Sequence, residues 1–105
     1  MPRPRKFRRI WNMPNVTLYK PAGVPGFQME VVVLTPDEVE ALRLKDYEGL
    51  DQNAAAEKMN ISQPTFYRIL SSARRKIADA LINGKAIQIE KSDYVNYVNE
   101  GDYED

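Results

Sequence analysis

The stretch from residue 52 to residue 83 constrains the fold most strongly, because turn-forming residues divide it into two helical patterns. Asn60 tolerates the left-handed backbone conformation with which many helices end. Ser62 is a strong N-cap, and Pro64 is accepted in the first turn of a helix, where backbone N–H groups have no helical partner. The stretch therefore predicts a short helix, a tight turn and a longer helix over residues 63–83.

The longer helix has two chemically different faces. Apolar residues recur on one face at spacings of three and four, so this face is expected to pack inward. Its members are Phe66, Ile69, Leu70, Ala73, Ile77, Ala80 and Leu81. The opposite face carries Gln63, Thr65, Tyr67, Arg68, Ser71, Arg74 and Arg75. The pattern is typical of a helix-turn-helix, and the alternative is an antiparallel helix pair with a solvated basic face.

Another helix is predicted upstream, ending at Gly49. Thr35 is expected to be its N-cap, with Pro36 at the first helical position and Glu38 completing a capping box. Asp51 is the expected N-cap of the helix that follows. The residues expected to face inward from the upstream helix are Val39, Leu42 and Tyr47.

Short strands are predicted on both sides of the helices. Residues 86–90 alternate between apolar and polar side chains, and the β-branched run at residues 31–34 is too short for a helix. These two segments are expected to pair with each other or with a second subunit. The predicted fold is mainly α, a three-helix domain over residues 31–90 with a short β-strand pair. It is preceded by an extended basic and irregular segment over residues 1–30 and followed by an acidic, disordered tail over residues 91–105.

Composition excludes several function classes. The chain has neither Cys nor His, which rules out disulfides, thiolate metal sites, zinc fingers and catalysis by Cys or Ser–His pairs. We therefore expect no enzymatic activity, no cofactor and no metal. No apolar run approaches the ~20 residues of a membrane span, so a cytoplasmic protein without membrane contact is expected. A core this small is marginal alone, which favours a homodimer.

Charge is distributed unevenly along the chain although the formal net charge is zero. Residues 1–10 carry cations and no acid, and those cations are Arg3, Arg5, Lys6, Arg8 and Arg9. Such an arm can follow phosphates or enter a minor groove, where Arg is preferred; the alternative is a solvated tail. Residues 91–105 are acidic, and they are interpreted as a solubilising tail, an intramolecular nucleic-acid mimic or a docking peptide.

Two resemblances follow from these motifs. The run from residue 34 to residue 44, the Glu48-Gly49-Leu50 motif and the helix pair are together similar to the fourth region of bacterial sigma factors, which reads the promoter −35 element. Over residues 2–90 the chain resembles the family catalogued as domain of unknown function 134. The other motifs that carry this resemblance are Arg3-Pro4-Arg5-Lys6, Arg8-Arg9, Lys20-Pro21-Ala22-Gly23-Val24-Pro25, Thr65-Phe66 with Arg68, Ser72-Ala73-Arg74-Arg75-Lys76 and Gly84-Lys85-Ala86.

The resemblance implies a sequence-specific transcriptional regulator that inserts helix 63–83 into the major groove of double-stranded DNA. In such a motif the first turns of the helix meet the bases. Gln63 is then expected to contact adenine and Arg68 guanine. Thr65 and Tyr67 are expected to contact a thymine methyl or a phosphate, and Ser71 lies one turn further along the helix. Phosphate contacts are expected for Ser62, Arg74 and Arg75. The alternatives are a protein-interaction module that binds RNA polymerase, and an RNA-binding protein.

Overall fold

The computed structural model describes residues 17–25 and 28–90 in full, together with the backbone of strands at residues 8–11 and 95–98. Its strands are β1 Arg8–Trp11, β2 Leu18–Tyr19, β3 Val31–Leu34, β4 Ala86–Ile89 and β5 Val95–Val98. Its helices are α1 Pro36–Leu42, α2 Gln52–Lys58 and α3 Gln63–Asn83. A π-helical turn, Arg43–Tyr47, continues α1. The predicted fold class, mainly α with three helices and a small β component, is confirmed.

The N-terminus of α1 is closed by the predicted capping box. The backbone N–H of Glu38 donates to Oγ1 of Thr35 at 3.2 Å, and the backbone N–H of Thr35 donates to Oε1 of Glu38 at 2.8 Å. Pro36 occupies the first helical position, where its missing N–H costs no helical hydrogen bond. The start of α1 is therefore fixed by local chemistry that is visible in the sequence.

The π-helical turn moves Tyr47 away from its predicted position. The backbone N–H of Glu48 donates to the carbonyl of Arg43 at 2.8 Å, a five-residue step that is wider than an α-helical turn. Leu44 stays buried, but the side chain of Tyr47 is 83% exposed. The prediction that Tyr47 faces inward is therefore wrong, because a constant spacing of 3.6 residues does not hold across this turn.

The core lies where the three helices meet. Phe66 of α3, Met59 after α2 and Leu44 of the π-helical turn are among the largest fully buried side chains. Ala55 and Ala56 are buried beside them, so α2 and α3 approach closely. Ile61 packs against this cluster from the turn, so the turn also contributes to the core.

Helix α3 buries most of its predicted apolar face. Phe66, Leu70, Ala73 and Ala80 are buried, and Ile69 and Ile77 are half-buried. Leu81 was also expected inside, but 76% of its side chain is exposed. That prediction is wrong because Leu81 has nearly the same direction around the helix axis as Leu70 but lies about three turns further along α3, beyond the core cluster that ends at Leu70.

The described strands form a three-stranded sheet and a separate pair. The three-stranded sheet has the order β2-β4-β3, and β4 is parallel to β3 and antiparallel to β2. The predicted pairing of residues 31–34 with residues 86–89 is therefore confirmed within one chain. The pair consists of β1 and β5 in parallel, with Arg8 opposite Val95. This places a strand inside residues 91–105, where the sequence predicts disorder.

A hydrogen-bonded cluster around the carboxylate of Glu38 joins α1, α3 and β3. Besides its capping contacts, Glu38 accepts hydrogen bonds from Oγ of Ser72 at 2.5 Å and from Nζ of Lys76 at 2.9 Å. Lys76 also donates to the carbonyl oxygen of Val33 at 2.6 Å. Burial disfavours the charged form of Glu38, but the hydrogen bonds from Ser72, Thr35 and Lys76 outweigh it and lower its pKa. Glu38 is therefore ionised in the folded state at neutral pH.

Replacing this carboxylate should change how stability depends on pH. Because the pKa of Glu38 is lower in the folded chain than its ordinary value of 4.5, its contribution is complete above about 4.5 and is lost as the pH falls below it. Glu38→Gln should reduce the free energy of unfolding at pH 7 by about 1–3 kcal/mol. It should also lose less stability than the wild type between pH 6 and pH 3, as measured by urea unfolding.

Glu57→Gln is the matched control, because Glu57 is an exposed carboxylate on α2. It should keep the stability and the acid sensitivity of the wild type. An acid sensitivity of Glu38→Gln equal to that of the wild type would contradict the role given to this cluster.

Candidate nucleic-acid interface

The turn between α2 and α3 is held by backbone hydrogen bonds. Asn60 has a φ of 60°, the left-handed conformation predicted for it. The N–H of Asn60 donates to the carbonyl of Glu57 at 3.0 Å, and the N–H of Ile61 donates to that of Ala56 at 3.1 Å. The direction in which α3 leaves the turn is therefore fixed relative to α2.

Ser62 caps α3, as predicted. Its Oγ accepts the backbone N–H of Thr65 at 3.3 Å and donates to Oγ1 of Thr65 at 3.0 Å. Thr65 is half-buried, and its Oγ1 also accepts a hydrogen bond from Nη2 of Arg68 at 3.3 Å. These contacts order the first turn of α3 and direct the Arg68 side chain along it.

Gln63, the first residue of α3, is joined to α2. Its Nε2 donates to Oδ1 of Asn53 at 3.0 Å, and both residues are exposed. Asn53 belongs to α2, whose N-terminus is capped by Asp51 through the N–H of Ala54 at 2.8 Å. Asn53 could not be identified from the sequence, because nothing in the local pattern signals an amide contact between two helices.

Four further exposed residues of α3 continue from Gln63 as a strip along one side of the helix. Tyr67 is 57% exposed, and Arg68, Ser71 and Arg75 are also exposed. Together with Gln63 they present amide, phenol, hydroxyl and guanidinium groups over three turns. These groups can donate hydrogen bonds to base edges and phosphates, and the amide, phenol and hydroxyl groups can also accept them. The structure therefore leaves this side of α3 accessible to a partner.

Arg74 differs from its neighbours because its guanidinium group already forms an ion pair with an acidic side chain. Its Nη2 lies 2.5 Å from Oδ1 of Asp46 and its Nε lies 3.1 Å from Oδ2 of the same residue. The hydrogen bond from Arg74 lowers the pKa of Asp46, and the same contact raises the pKa of Arg74. Asp46 lies in the π-helical turn, 28 residues away in sequence, so this pair is not visible in any local sequence pattern.

The basic arm is only partly described. Arg8 and Arg9 lie in β1, whose backbone pairs with β5. The other cations of the arm lie outside the described residues, and they are Arg3, Arg5 and Lys6. The structure therefore brings Ser62, Gln63, Thr65 and Arg68 together at one end of α3, whereas the DNA contacts expected of the arm stay a prediction.

Two features are absent from the described part of the chain. Among those residues, no group of three acidic side chains lies close enough to hold a metal ion. No helix formed by them is long and apolar enough to cross a membrane.

Comparison with known proteins identifies the family. Residues 1–97 match the family described as "Protein of unknown function DUF134". The chain is 56% identical over 97 residues to a UPF0251 protein of Caldanaerobacter subterraneus subsp. tengcongensis, which covers 92% of this chain and 82% of the relative. It is 60% identical over 90 residues to a UPF0251 protein of Dehalococcoides mccartyi strain BAV1, covering 86% and 77%. No solved structure matches the chain. The chain therefore belongs to the DUF134 family.

Proposed function

We propose that this protein is a sequence-specific double-stranded DNA-binding regulator of transcription, which inserts the first turns of α3 into the major groove. The observation that carries the proposal is the exposed strip Gln63, Tyr67, Arg68, Ser71 and Arg75. The strip lies on a helix whose opposite side is buried and whose start is capped. A rigid helix with base-reading side chains on its open side fits the major groove.

Base contacts are assigned to the first two turns. Gln63 and Arg68 carry the amide and guanidinium groups that pair bidentately with adenine and guanine, respectively. Tyr67, between them in sequence, is exposed and is assigned to a thymine methyl or a phosphate. Ser71 lies about one turn beyond Arg68.

Phosphate contacts are assigned to the flanking groups. Arg75 is exposed, and Arg74 can exchange its contact with Asp46 for a phosphate because exposed ion pairs contribute little stability. The hydroxyl group of Ser62 lies at the start of α3. The cations of residues 1–10 add sequence-independent attraction to the DNA backbone. Phosphate contacts of this kind position a protein, whereas base contacts specify its site.

A protein-interaction module is the second candidate, and exposed apolar side chains favour it. Tyr47 is 83% exposed, Leu81 76% and Ile82 81%. Tyr47 and Leu81 each border an apolar groove that Tyr19 also lines, and grouped apolar side chains of this kind commonly mark contact surfaces. We assign these side chains to a second copy of the chain or to RNA polymerase. Either partner is compatible with DNA binding, because the strip on α3 does not include these residues.

Binding to duplex DNA of random sequence should depend steeply on salt. With roughly 4–6 phosphates neutralised, log K should fall with log salt at a slope of about −4 to −5. Arg68→Ala and Arg75→Ala should each weaken binding, and Arg75→Ala should flatten the slope by about one because it removes a phosphate contact. Fluorescence anisotropy with labelled duplexes between 50 and about 200 mM salt measures both quantities.

Lys20→Ala is the matched control for charge, because Lys20 is exposed and follows β2, outside the strip. It should bind as the wild type does. Absence of binding to duplex DNA at low salt would contradict the proposal. Preferential binding to single-stranded or A-form RNA would favour the RNA-binding alternative instead.

Freeing Arg74 from its ion pair with Asp46 should raise the affinity for duplex DNA. Asp46→Asn removes the carboxylate that holds Arg74, so the guanidinium becomes free for a phosphate. We expect affinity for duplex DNA to rise about three- to tenfold at low salt, because Arg74 no longer has to leave Asp46 before it contacts a phosphate. The same titration measures this change, and adding Arg74→Ala should abolish the gain.

Glu48→Gln separates this effect from a general loss of negative charge. Glu48 is an exposed acid next to the π-helical turn, and it pairs with Arg43 at 3.2 Å. An equal gain of affinity in Glu48→Gln and Asp46→Asn would show that Arg74 itself is not a contact.

A further inference from the structure

The amide pair Gln63 and Asn53 carries an inference that rests on the proposed function and refines it. The two side chains come from different helices and meet at the exposed side of the α2–α3 junction, where Nε2 of Gln63 lies 3.0 Å from Oδ1 of Asn53. We propose that Asn53 is a specificity-determining residue, which orients Gln63 and makes it select adenine over guanine.

The hydrogen-bond inventory of the amide supports this selection. A glutamine amide has two N–H donors and an oxygen acceptor, and Asn53 occupies one of the donors. One donor and the oxygen remain on Gln63. Adenine presents an acceptor at N7 and a donor at N6 in the major groove, which match these two groups.

Guanine requires a different set of hydrogen-bonding groups from the protein. Its major-groove edge presents two acceptors, N7 and O6, so a good contact needs two donors from the protein. Because one N–H of Gln63 is held by Asn53, the amide can supply only one. The oxygen of Gln63 would then face O6 without a hydrogen between them, which disfavours guanine at this position.

The backbone around the pair is rigid enough for this role. Asp51 caps α2 through the N–H of Ala54, and Ser62 caps α3 through that of Thr65. The N–H of Ile61 donates to the carbonyl of Ala56 across the turn. An exposed glutamine otherwise samples many rotamers, and a side chain fixed before binding loses less freedom when it meets its base. Asn53 therefore acts as a positioning residue.

The experiment selects binding sites from a random duplex pool with the full chain and then measures affinity for the selected site and its single-base variants. The wild type should select adenine at one position of the site, with about tenfold discrimination against guanine there. Gln63→Ala should lose all preference at that position. Asn53→Ala should lose the discrimination between adenine and guanine but keep its affinity for random duplex within about twofold.

Asn53→Asp provides a rescue that a merely structural residue would not give. A carboxylate still accepts the N–H of Gln63, so adenine should remain preferred, while its negative charge lowers affinity for every duplex. Asn83→Ala is the control, because Asn83 is an exposed amide that bonds to Asp79 at the other end of α3. Circular dichroism on each variant verifies that the helices are retained.

The outcomes separate the inference from the proposed function. If the wild type binds duplex DNA but Asn53→Ala keeps the adenine preference of the wild type, the inference is overturned and the proposed function stands. If Asn53→Ala accepts guanine and Asn53→Asp does not, the inference is supported. If the wild type binds no duplex, the proposed function and the inference are both overturned.

Discussion

The buried carboxylate of Glu38 is the contact on which the arrangement of the helices depends. It closes the N-terminus of α1 and accepts hydrogen bonds from Ser72 and Lys76 in the middle of α3. Lys76 carries the connection on to the backbone of β3. A buried charge is tolerated only when it is paired and hydrogen-bonded, so these partners must stay together. One side of α3 is thereby fixed, and the other side remains open.

The candidate interface depends on a second constraint, the short turn between α2 and α3. Asn60 supplies the left-handed residue and Ser62 supplies the cap, while the apolar cluster around Phe66 holds the two helices together. The exposed side chains of Gln63 and Arg68 therefore project from a backbone whose position is fixed by the turn and by the core. Such rigidity is what recognition of base edges requires, since a misplaced hydrogen-bonding group loses its specificity.

Local chemistry explains which features could be predicted from the sequence. The caps at Thr35, Asp51 and Ser62 and the left-handed Asn60 depend on residues within one turn of each other, and all of them are found as predicted. The pairing of β3 with β4 was also predictable, because two short apolar segments had no better partner in the chain, whereas its parallel direction was not predicted.

Features that depend on distant residues could not be predicted. Asn53 lies 10 residues from Gln63 and Asp46 lies 28 residues from Arg74, and no spacing rule connects such pairs before the helices are placed. The π-helical turn breaks the spacing on which the prediction for Tyr47 depended. The division of the chain into an arm, a domain and a tail stays a prediction, as do the DNA contacts assigned to the arm.

Amide chemical shifts of the labelled chain, recorded during titration with a duplex from the selected pool, test the central claim most directly. We expect the shifts to change over residues 62–75 and at Asn53, and those of Leu81 and Ile82 to change little. DNA binding by α3 would be contradicted if saturating duplex left the shifts of residues 62–75 unchanged, or if the changes were confined to the exposed residues Tyr47, Leu81 and Ile82.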